Sequence, residues 1–165
     1  MTAQLLNERD VRFQLFEVLD TDALTRRERY REHDRNVFDA TLQTAQQIAA
    51  EYFAPHNQKG DMNEPTFDGE RVHLIPETKT AWNAFAEAGF LAAHHDYEEG
   101  GLQLPEVVLR SCMAYFNAAN AASVGYSFLT IGAANLVRSF ASTDLKQRFL
   151  PPMLDGRFSG TMALT

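Results

Sequence analysis

Only a few side chains in this sequence could do chemistry, and they do not form a known catalytic or metal-binding motif. His94, His95 and Asp96 are neighbours and could supply metal ligands. Adjacent side chains on an irregular segment rarely converge on one ion, so a solvated loop is the favoured interpretation and metal binding the alternative. Cys112 lies at the spacing of a helix core, which favours a buried, inert thiol over a nucleophile. We therefore assign no catalytic residue and no metal ligand.

A short acidic run follows these histidines. Its carboxylates, at Asp96, Glu98, Glu99 and Glu106, could attract a cation or a basic partner, although such runs more often face water. The sequence contains no G-x-S-x-G, H-E-x-x-H, G-x-x-x-x-G-K-[ST], G-x-G-x-x-G or C-x-x-C motif. Self-contained catalysis is therefore not visible in this chain.

The composition indicates one globular domain. The chain has 165 residues, of which 45% are hydrophobic, enough for a single core. Its formal net charge of −7 repels phosphate backbones and anionic lipid, which argues against nucleic-acid binding. A single cysteine cannot form an internal disulfide, and no basic start with an apolar core follows Met1. We therefore expect a cytoplasmic protein.

The longest uncharged stretch lies between Arg110 and Arg138 and is long enough to span a bilayer. Amide and hydroxyl side chains interrupt it from Asn117 to Asn135, and burying so many of them in lipid would be costly. Two helices buried in a protein core explain the stretch better than a membrane span, and the second of them, about 122–140, is expected to be almost entirely buried.

Helical periodicity dominates the rest of the chain. Apolar residues at spacings of three and four predict a helix over residues 36–53, with Asp34 as its N-cap. Glycines and prolines among polar residues predict a long loop over 56–76, with at most a short extended piece at 72–75. Further helices are predicted over 77–89, from Pro105 to Ala119, over about 122–140, and from Ser142 or Thr143 to a point before Pro151.

These elements predict an all-α fold, an up-and-down helical bundle. The densely charged residues 1–35 are expected to form an exposed extension, followed by the bundle domain at 36–156. The core is expected to contain Phe38, Leu42, Trp82, Phe85, Cys112, Phe116, Phe128 and Phe149.

The last residues change period. Over 157–165 a period of two predicts a strand, with Phe158, Gly160, Met162 and Leu164 alternating with Ser159, Thr161, Ala163 and Thr165. One strand has no partner in a helical chain, and an unpaired strand edge is poorly tolerated. We therefore expect the strand to belong to a β domain that the chain does not contain, so that these residues would be the N-terminal part of a longer protein.

The order of several short motifs resembles the acyl-CoA dehydrogenase family over nearly the whole chain. The motifs are Gly100-Gly101, Leu104-Pro105, Thr143-Asp144-x-Lys146, Phe149-Leu150-Pro151 and Leu154-Asp155-Gly156-x-Phe158-x-Gly160-Thr161-Met162-Ala163-Leu164-Thr165. A further set is similar to the branch that includes 3-methylmercaptopropionyl-CoA dehydrogenases. It comprises Arg9-Asp10-x-x-Phe13-x-Leu15-x-Glu17-Val18-Leu19, Asn57-x-x-Gly60-Asp61 and Phe67-Asp68-Gly69.

The resemblance implies FAD-dependent α,β-dehydrogenation of an acyl-CoA thioester in a homo-oligomer, with an electron-transfer flavoprotein as the electron acceptor. The catalytic base of such enzymes lies in a C-terminal helical domain, so none is assigned among residues 1–165. The resemblance places Met162, Ala163, Leu164 and Thr165 along the flavin, with the Thr165 hydroxyl hydrogen-bonded to the ring system. It places Tyr126, Phe128, Leu129 and Gly132 at the far end of the acyl slot.

A second class of function stays open. The chain would then be a freestanding helical binding or scaffold domain whose terminal strand pairs with a partner protein. The sequence following Thr165 distinguishes the two hypotheses.

Overall fold

A computed structural model describes residues 5–161 and Ala163, and it confirms the mainly helical bundle. The α-helices are α1 (Glu8–Arg12), α2 (Arg35–Ile48), α3 (Asn57–Met62), α4 (Pro76–Glu87), α5 (Glu106–Phe140) and α6 (Thr143–Leu154). π-helical turns cover Phe13–Val18 and Ala49–Phe53, and 3₁₀ turns cover Thr21–Arg26, Glu28–Tyr30, Ala54–His56 and Tyr97–Glu99. Two short strands, β1 (Thr66–Phe67) and β2 (Val72–His73), pair antiparallel.

The core is organised around aromatic rings at the crossing of α4 and α5. Phe116 packs edge-to-face on Phe53, Phe85 and Phe90, with ring centroids 4.9–5.2 Å apart. This geometry lets the positive ring edge meet the negative ring face, and it adds to the gain from burial. Of the expected core residues, five are buried: Phe38, Leu42, Phe85, Cys112 and Phe116. Trp82 and Phe149 are half-buried.

Helix α5 changes direction at Asn120, whose backbone is non-helical (φ −165°, ψ 89°). The Asn120 side chain accepts a hydrogen bond from the backbone N–H of Ser123 at 3.0 Å, as an N-cap does. Its amide also donates to the carbonyl of Phe53 at 3.2 Å. The two helices expected in this stretch therefore meet at a capped break inside one continuous element.

The expectation that the second half of α5 is almost entirely buried was wrong. Phe128, expected in the core, is 51% exposed, and Leu136 and Phe140 are also exposed. The break at Asn120 explains the difference, because it turns the second half so that only one side, with Val124, Ile131 and similar residues, faces the protein.

Helix α6 continues through two prolines, although it was expected to end before Pro151. Proline lacks an N–H and normally breaks a helix interior. Here the last turn persists because its carbonyls find other donors: Asp155 N donates to Pro151 at 3.1 Å, and Phe158 N donates to Pro152 at 2.8 Å. Burial of the neighbouring Leu150, Met153 and Leu154 stabilises the same turn.

The polar segment 56–76 is not the long loop that was expected. It contains α3 and a hairpin in which Phe67 pairs with Val72, while Val72–His73 matches part of the expected extended piece. The Asp68 carboxylate accepts hydrogen bonds from the backbone of Glu70 and Arg71 and so closes the turn. Such side-chain to backbone bonds depend on one aspartate rather than on a periodic pattern.

The charged N-terminal segment was expected to be an exposed extension, but part of it is buried. Leu15 and Phe16 are buried in the main core, and the Thr21 hydroxyl donates to the Leu15 carbonyl at 2.6 Å. The guanidinium groups of Arg12 and Arg35 lie over the Phe16 ring, 5.7 Å and 4.3 Å from its centroid. The domain boundary at residue 35 stays a prediction.

The strand expected over 157–165 is not present in the described part of that segment, residues 157–161 and Ala163. Met162, Leu164 and Thr165 lie outside the described residues. Among residues 5–161, no helix is both long and apolar enough to cross a membrane.

Replacing Asn120 tests the capped break. Asn120→Ala removes an N-cap and leaves the Phe53 carbonyl without this donor, so we expect a loss of about 2–3 kcal/mol in the free energy of unfolding. Urea denaturation measures it. Asn117→Ala is the control, since Asn117 is exposed on the same helix and its loss should change stability by less than about 0.5 kcal/mol. Equal effects of the two substitutions would contradict the role of Asn120.

Candidate functional site

An exposed apolar stripe runs along the second half of α5. Phe128, Gly132, Leu136 and Phe140 are spaced by four residues and therefore share one side of the helix. Phe140 is 82% exposed. Contiguous exposed apolar side chains mark binding or docking surfaces. Two of the residues expected in the acyl slot, Phe128 and Gly132, thus lie together on the stripe, and the partly buried Leu129 lies beside them.

The segment after α6 crosses α5 at a fixed point next to this stripe. The Thr130 hydroxyl donates to the Tyr126 carbonyl at 2.7 Å and accepts from the backbone N–H of Gly160 at 3.0 Å. A Cβ at Gly160 would lie 2.7 Å from both Ala133 and Met153, so only glycine allows this close approach. The crossing fixes where the chain begins its last five residues, which include the four expected to contact a flavin.

Trp82 and Gly156 form a second attachment of the same segment. The Trp82 indole N–H donates to the Gly156 carbonyl at 2.9 Å. Gly156 adopts a positive φ of 82°, and a Cβ there would lie 2.6 Å from Ala86 and 3.3 Å from the indole nitrogen. Both the backbone conformation and the tight contact therefore require glycine.

A groove of about 400 Å³ opens between the hairpin, the start of α4, the second half of α5 and the turn at Gly156. It is lined by Phe53, Val72, His73, Leu74, Ile75, Pro76, Thr78, Lys79, Trp82, Phe85, Ser123, Tyr126, Ser127, Gly156, Arg157 and Ser159. Of the four expected acyl-slot residues, only Tyr126 lines it. Sequence reasoning missed this groove because its walls come from separate segments that no single period connects.

One groove wall is held by a histidine that the sequence did not single out. His56 is buried, and its Nδ1 lies 2.7 Å from the Tyr52 carbonyl, which can only accept a hydrogen bond. Nδ1 therefore carries the proton, and Nε2 accepts from the Ser123 hydroxyl at 2.8 Å. This pair attaches α5, just past its break, to the end of the 3₁₀ turn Ala54–His56.

The loop with His94 and His95 is not the solvated loop that was expected. His95 is fully buried, with Nδ1 3.3 Å from a Glu99 oxygen, while Nε2 of His94 lies 2.8 Å from Oδ1 of Asn135. The two rings thus have different partners. Among residues 5–161 and Ala163, no group of three potential ligands could hold a metal ion.

Three of the four carboxylates of the acidic run, Asp96, Glu99 and Glu106, have arginine partners rather than facing only water. Arg138 binds Asp96 at 2.6 Å and Glu99 at 2.8 Å, and Arg29 also pairs with Asp96. The hydrogen bond and charge of Arg29, assisted by Arg138, lower the pKa of Asp96. Burial alone would raise the pKa of Glu99, but the hydrogen bond and charge of Arg138 outweigh it and lower the pKa.

Burial sets the direction of the pKa shift of two other titratable groups, His95 and Cys112. Desolvation, assisted by the neighbouring His94 imidazole, lowers the pKa of His95 and favours its neutral form. Desolvation raises the pKa of the Cys112 thiol to about 12, and the residue is fully buried. The interpretation of Cys112 as an inert core thiol is confirmed, since the thiolate is the reactive form.

These features define a helical domain whose long, broken helix leaves an apolar face exposed. The model of the acyl-CoA dehydrogenase N-terminal domain matches residues 38–157. The chain therefore belongs to the acyl-CoA dehydrogenase family and corresponds to the N-terminal domain.

Sequence similarity to two acyl-CoA dehydrogenases supports this assignment. The chain is 29% identical over 95% of its length to a 3-methylmercaptopropionyl-CoA dehydrogenase of Ruegeria pomeroyi. It is 30% identical over 98% of its length to a butyryl-CoA dehydrogenase of Syntrophomonas wolfei. The chain spans 27% of the length of each relative. The resemblance to the acyl-CoA dehydrogenase family identified from the motifs is thereby confirmed, and a 3-methylmercaptopropionyl-CoA dehydrogenase is among the similar proteins.

The tight contact at Gly156 can be tested by comparison with Gly100, a glycine with nearly the same positive φ. Gly156→Ala and Gly100→Ala both place alanine at a φ near +80°, which costs about 1–2 kcal/mol. Only at Gly156 does the new methyl meet other atoms, so we expect a further loss of about 1–3 kcal/mol and a shifted Trp82 emission maximum. Thermal unfolding and fluorescence measure the two effects. Equal stability of the two variants would contradict the tight contact.

The arginine network predicts acid sensitivity of a definite sign. The lowered pKa values of Asp96 and Glu99 mean that these groups stabilise the fold above their unfolded pKa values, and that this stability is lost as the pH falls through their folded values. Arg138→Met should therefore lower stability at pH 7 and flatten the decline below about pH 4, near the unfolded carboxylate values.

Urea denaturation between pH 7 and pH 3 measures this effect. Arg110→Met is the control, because among residues 5–161 Arg110 pairs only with the exposed Glu106 on its own helix. That substitution should leave the pH dependence almost unchanged. A pH profile of Arg138→Met that parallels the unsubstituted protein would show that the network does not control the two carboxylates.

Proposed function

We propose that this chain forms the N-terminal domain of an FAD-dependent acyl-CoA dehydrogenase that introduces an α,β double bond into an acyl-CoA thioester. The observation that carries the proposal is the family match over 38–157, together with an apolar stripe left open on α5. The named relatives act on 3-methylmercaptopropionyl-CoA and butyryl-CoA, which supports an acyl-CoA substrate. The acyl chain itself is not assigned.

In this proposal, the stripe on α5 forms one wall of the acyl site. Phe128 and Leu129 supply apolar contact, and Gly132, one turn further along the helix, leaves room for a chain. Tyr126 lines the groove as well. Apolar walls also exclude water, which dehydrogenation of a thioester requires because the reacting carbon must lose its proton to a base rather than to solvent.

The flavin would be contacted by the last residues of the chain. Bound FAD supplies the hydride acceptor. A threonine hydroxyl and backbone amides along Met162, Ala163, Leu164 and Thr165 are donors that suit the polar edge of such a ring. The described crossing at Gly160 supports this arrangement, because it fixes the chain two residues before Met162. No residue of the chain is proposed as the catalytic base.

Electron-transfer flavoprotein as the electron acceptor, a homo-oligomeric enzyme and a cytoplasmic location are parts of the same proposal. The alternative is a freestanding helical binding or scaffold domain. The observation that favours the alternative is the exposed apolar surface, since Phe140 and the hairpin residues Phe67 and Val72 are also exposed. Any partner protein would cover such a surface as well as a second domain would.

Thr165→Val in the complete enzyme tests the proposal. The substitution keeps volume and β-branching but removes a hydrogen bond to a group that gains charge, worth about 1.5–3 kcal/mol. We therefore expect a roughly ten- to hundredfold slower flavin reduction by acyl-CoA, measured by stopped-flow absorbance. Thr161→Val is the control, since Thr161 is exposed and is not expected at the flavin. If both variants reduce flavin at the original rate, the assignment of Thr165 fails; failure of the complete protein to bind FAD would favour the scaffold alternative.

A further inference from the structure

A serine and a histidine are hydrogen-bonded where the turn Ala54–His56 meets α5. The Ser123 hydroxyl donates to Nε2 of His56 at 2.8 Å, and Nδ1 of His56 donates to the Tyr52 carbonyl at 2.7 Å. The carbonyl therefore holds the imidazole in the tautomer whose Nε2 can take a proton from the serine. A nucleophile bonded to a base that a third group orients is the arrangement of nucleophilic catalysis. The two side chains are 67 positions apart, so no linear motif reveals them.

Ser123 also lies in the first turn of the helix that begins at the capped break. Its backbone N–H donates to the Asn120 side chain at 3.0 Å, and the helix continues to Phe140. The positive end of a helix stabilises the negative charge that develops on a hydroxyl oxygen as its proton leaves. His56 is buried, whereas Ser123 is only half-buried. A ligand therefore meets the serine first and the imidazole behind it.

The serine lines a cavity of about 530 Å³ between α3, the start of α4 and the second half of α5, here called the Ser123 cavity. Its lining includes the side-chain amides of Asn57 and Gln58, whose N–H groups suit a developing oxyanion. Among the described lining residues, the charged side chains are the carboxylates of Asp61 and Glu64. These carboxylates disfavour an anionic ligand, and the net charge of −7 acts in the same direction.

We propose that Ser123 and His56 hydrolyse small uncharged carboxylic esters in the Ser123 cavity. The serine oxygen bonds to the carbonyl carbon while its proton passes to Nε2 of His56. The bond between the carbonyl carbon and the alcohol oxygen then breaks, and the alcohol leaves with that proton. Water next attacks the acyl-serine and gives its proton through His56 to the serine oxygen. One ester and one water thus become one carboxylic acid and one alcohol.

This activity does not rest on the dehydrogenase proposal. A CoA thioester carries phosphate charges, which the acidic lining of the Ser123 cavity disfavours. Of the four residues expected in the acyl slot, only Tyr126 lines this cavity. Loss of ester hydrolysis would therefore leave the Thr165 experiment unaffected, and a scaffold domain could carry the serine and histidine equally well.

A neutral chromogenic ester tests the activity on the unsubstituted chain. The chain is incubated with 4-nitrophenyl acetate, and absorbance follows the release of 4-nitrophenolate. We expect hydrolysis above the rate in buffer, and an enhancement at least about threefold smaller for 4-nitrophenyl hydrogen succinate, whose carboxylate the cavity disfavours. Diisopropyl fluorophosphate, an uncharged reagent that phosphorylates activated serines with loss of fluoride, should abolish the hydrolysis. Peptide mass spectrometry should then place one adduct on Ser123.

Matched variants separate this site from adventitious hydrolysis at the surface. Ser123→Ala and His56→Gln should each lower the rate at least about tenfold, since a positioned base contributes roughly 10²–10⁴-fold. Ser127→Ala should leave the rate unchanged, because that hydroxyl donates to the Val124 carbonyl. His73→Asn, which removes an exposed imidazole, should also leave it unchanged.

The adduct is mapped on the unsubstituted chain, so the test stands even if the buried His56 cannot be replaced without unfolding. The proposal is overturned if the chain hydrolyses the ester no faster than buffer, or if the adduct lies on another residue. It is also overturned if folded Ser123→Ala is as active as Ser127→Ala, or if His73→Asn removes the activity.

Discussion

The two hydrogen bonds of the Asn120 side chain are the interactions on which most of the described structure depends. Its carbonyl oxygen caps the second half of α5, and its amide donates to the backbone of Phe53. One buried side chain thus hydrogen-bonds the backbone of α5 and the backbone of the π-helical turn Ala49–Phe53. A continuous helix would not leave the side chain in position to bond both. A buried amide that is fully hydrogen-bonded specifies one arrangement, because any other leaves polar groups unpaired.

Two surfaces follow from this break. The first half of α5 stays inside the aromatic core, while the second half emerges and exposes the stripe that begins at Phe128. The groove opens on the other side of the same half, between Tyr126 and Trp82. The Thr130 hydroxyl lies between the two surfaces and attaches the crossing segment at Gly160. A straight α5 would place none of these side chains where it now lies.

Periodicity predicted the parts of the fold that depend on apolar burial. The helices and core residues such as Phe85 and Phe116 were predicted because burial recurs every three or four residues. The break at Asn120 was anticipated as a gap between two helices. The persistence of α6 through Pro151 was not, because it depends on donors from residues beyond the helix. The environment of His95 was missed for a similar reason: its partners include Glu99, which in turn binds the distant Arg138.

The candidate site was predicted only in part. Resemblance to the family placed Tyr126, Phe128, Leu129 and Gly132 at the far end of an acyl slot, and this assignment stays a prediction. In the structure Phe128 and Gly132 lie on the apolar stripe of α5, whereas Tyr126 lines the groove. The groove was not predicted, since no residue pattern connects a hairpin, two helices and a turn. Of the flavin-side positions, Met162, Leu164 and Thr165 lie outside the described residues, and all four assignments, including Ala163, stay predictions.

Chemical modification of the buried Cys112 thiol can report how often the core opens. Its pKa of about 12 and complete burial mean that a thiol reagent can modify it only after the aromatic core has separated. When reclosing is faster than modification, the modification rate is proportional to the small population of open molecules at equilibrium. Because the chain has no other cysteine, one mass measurement over time would follow that population without any introduced label.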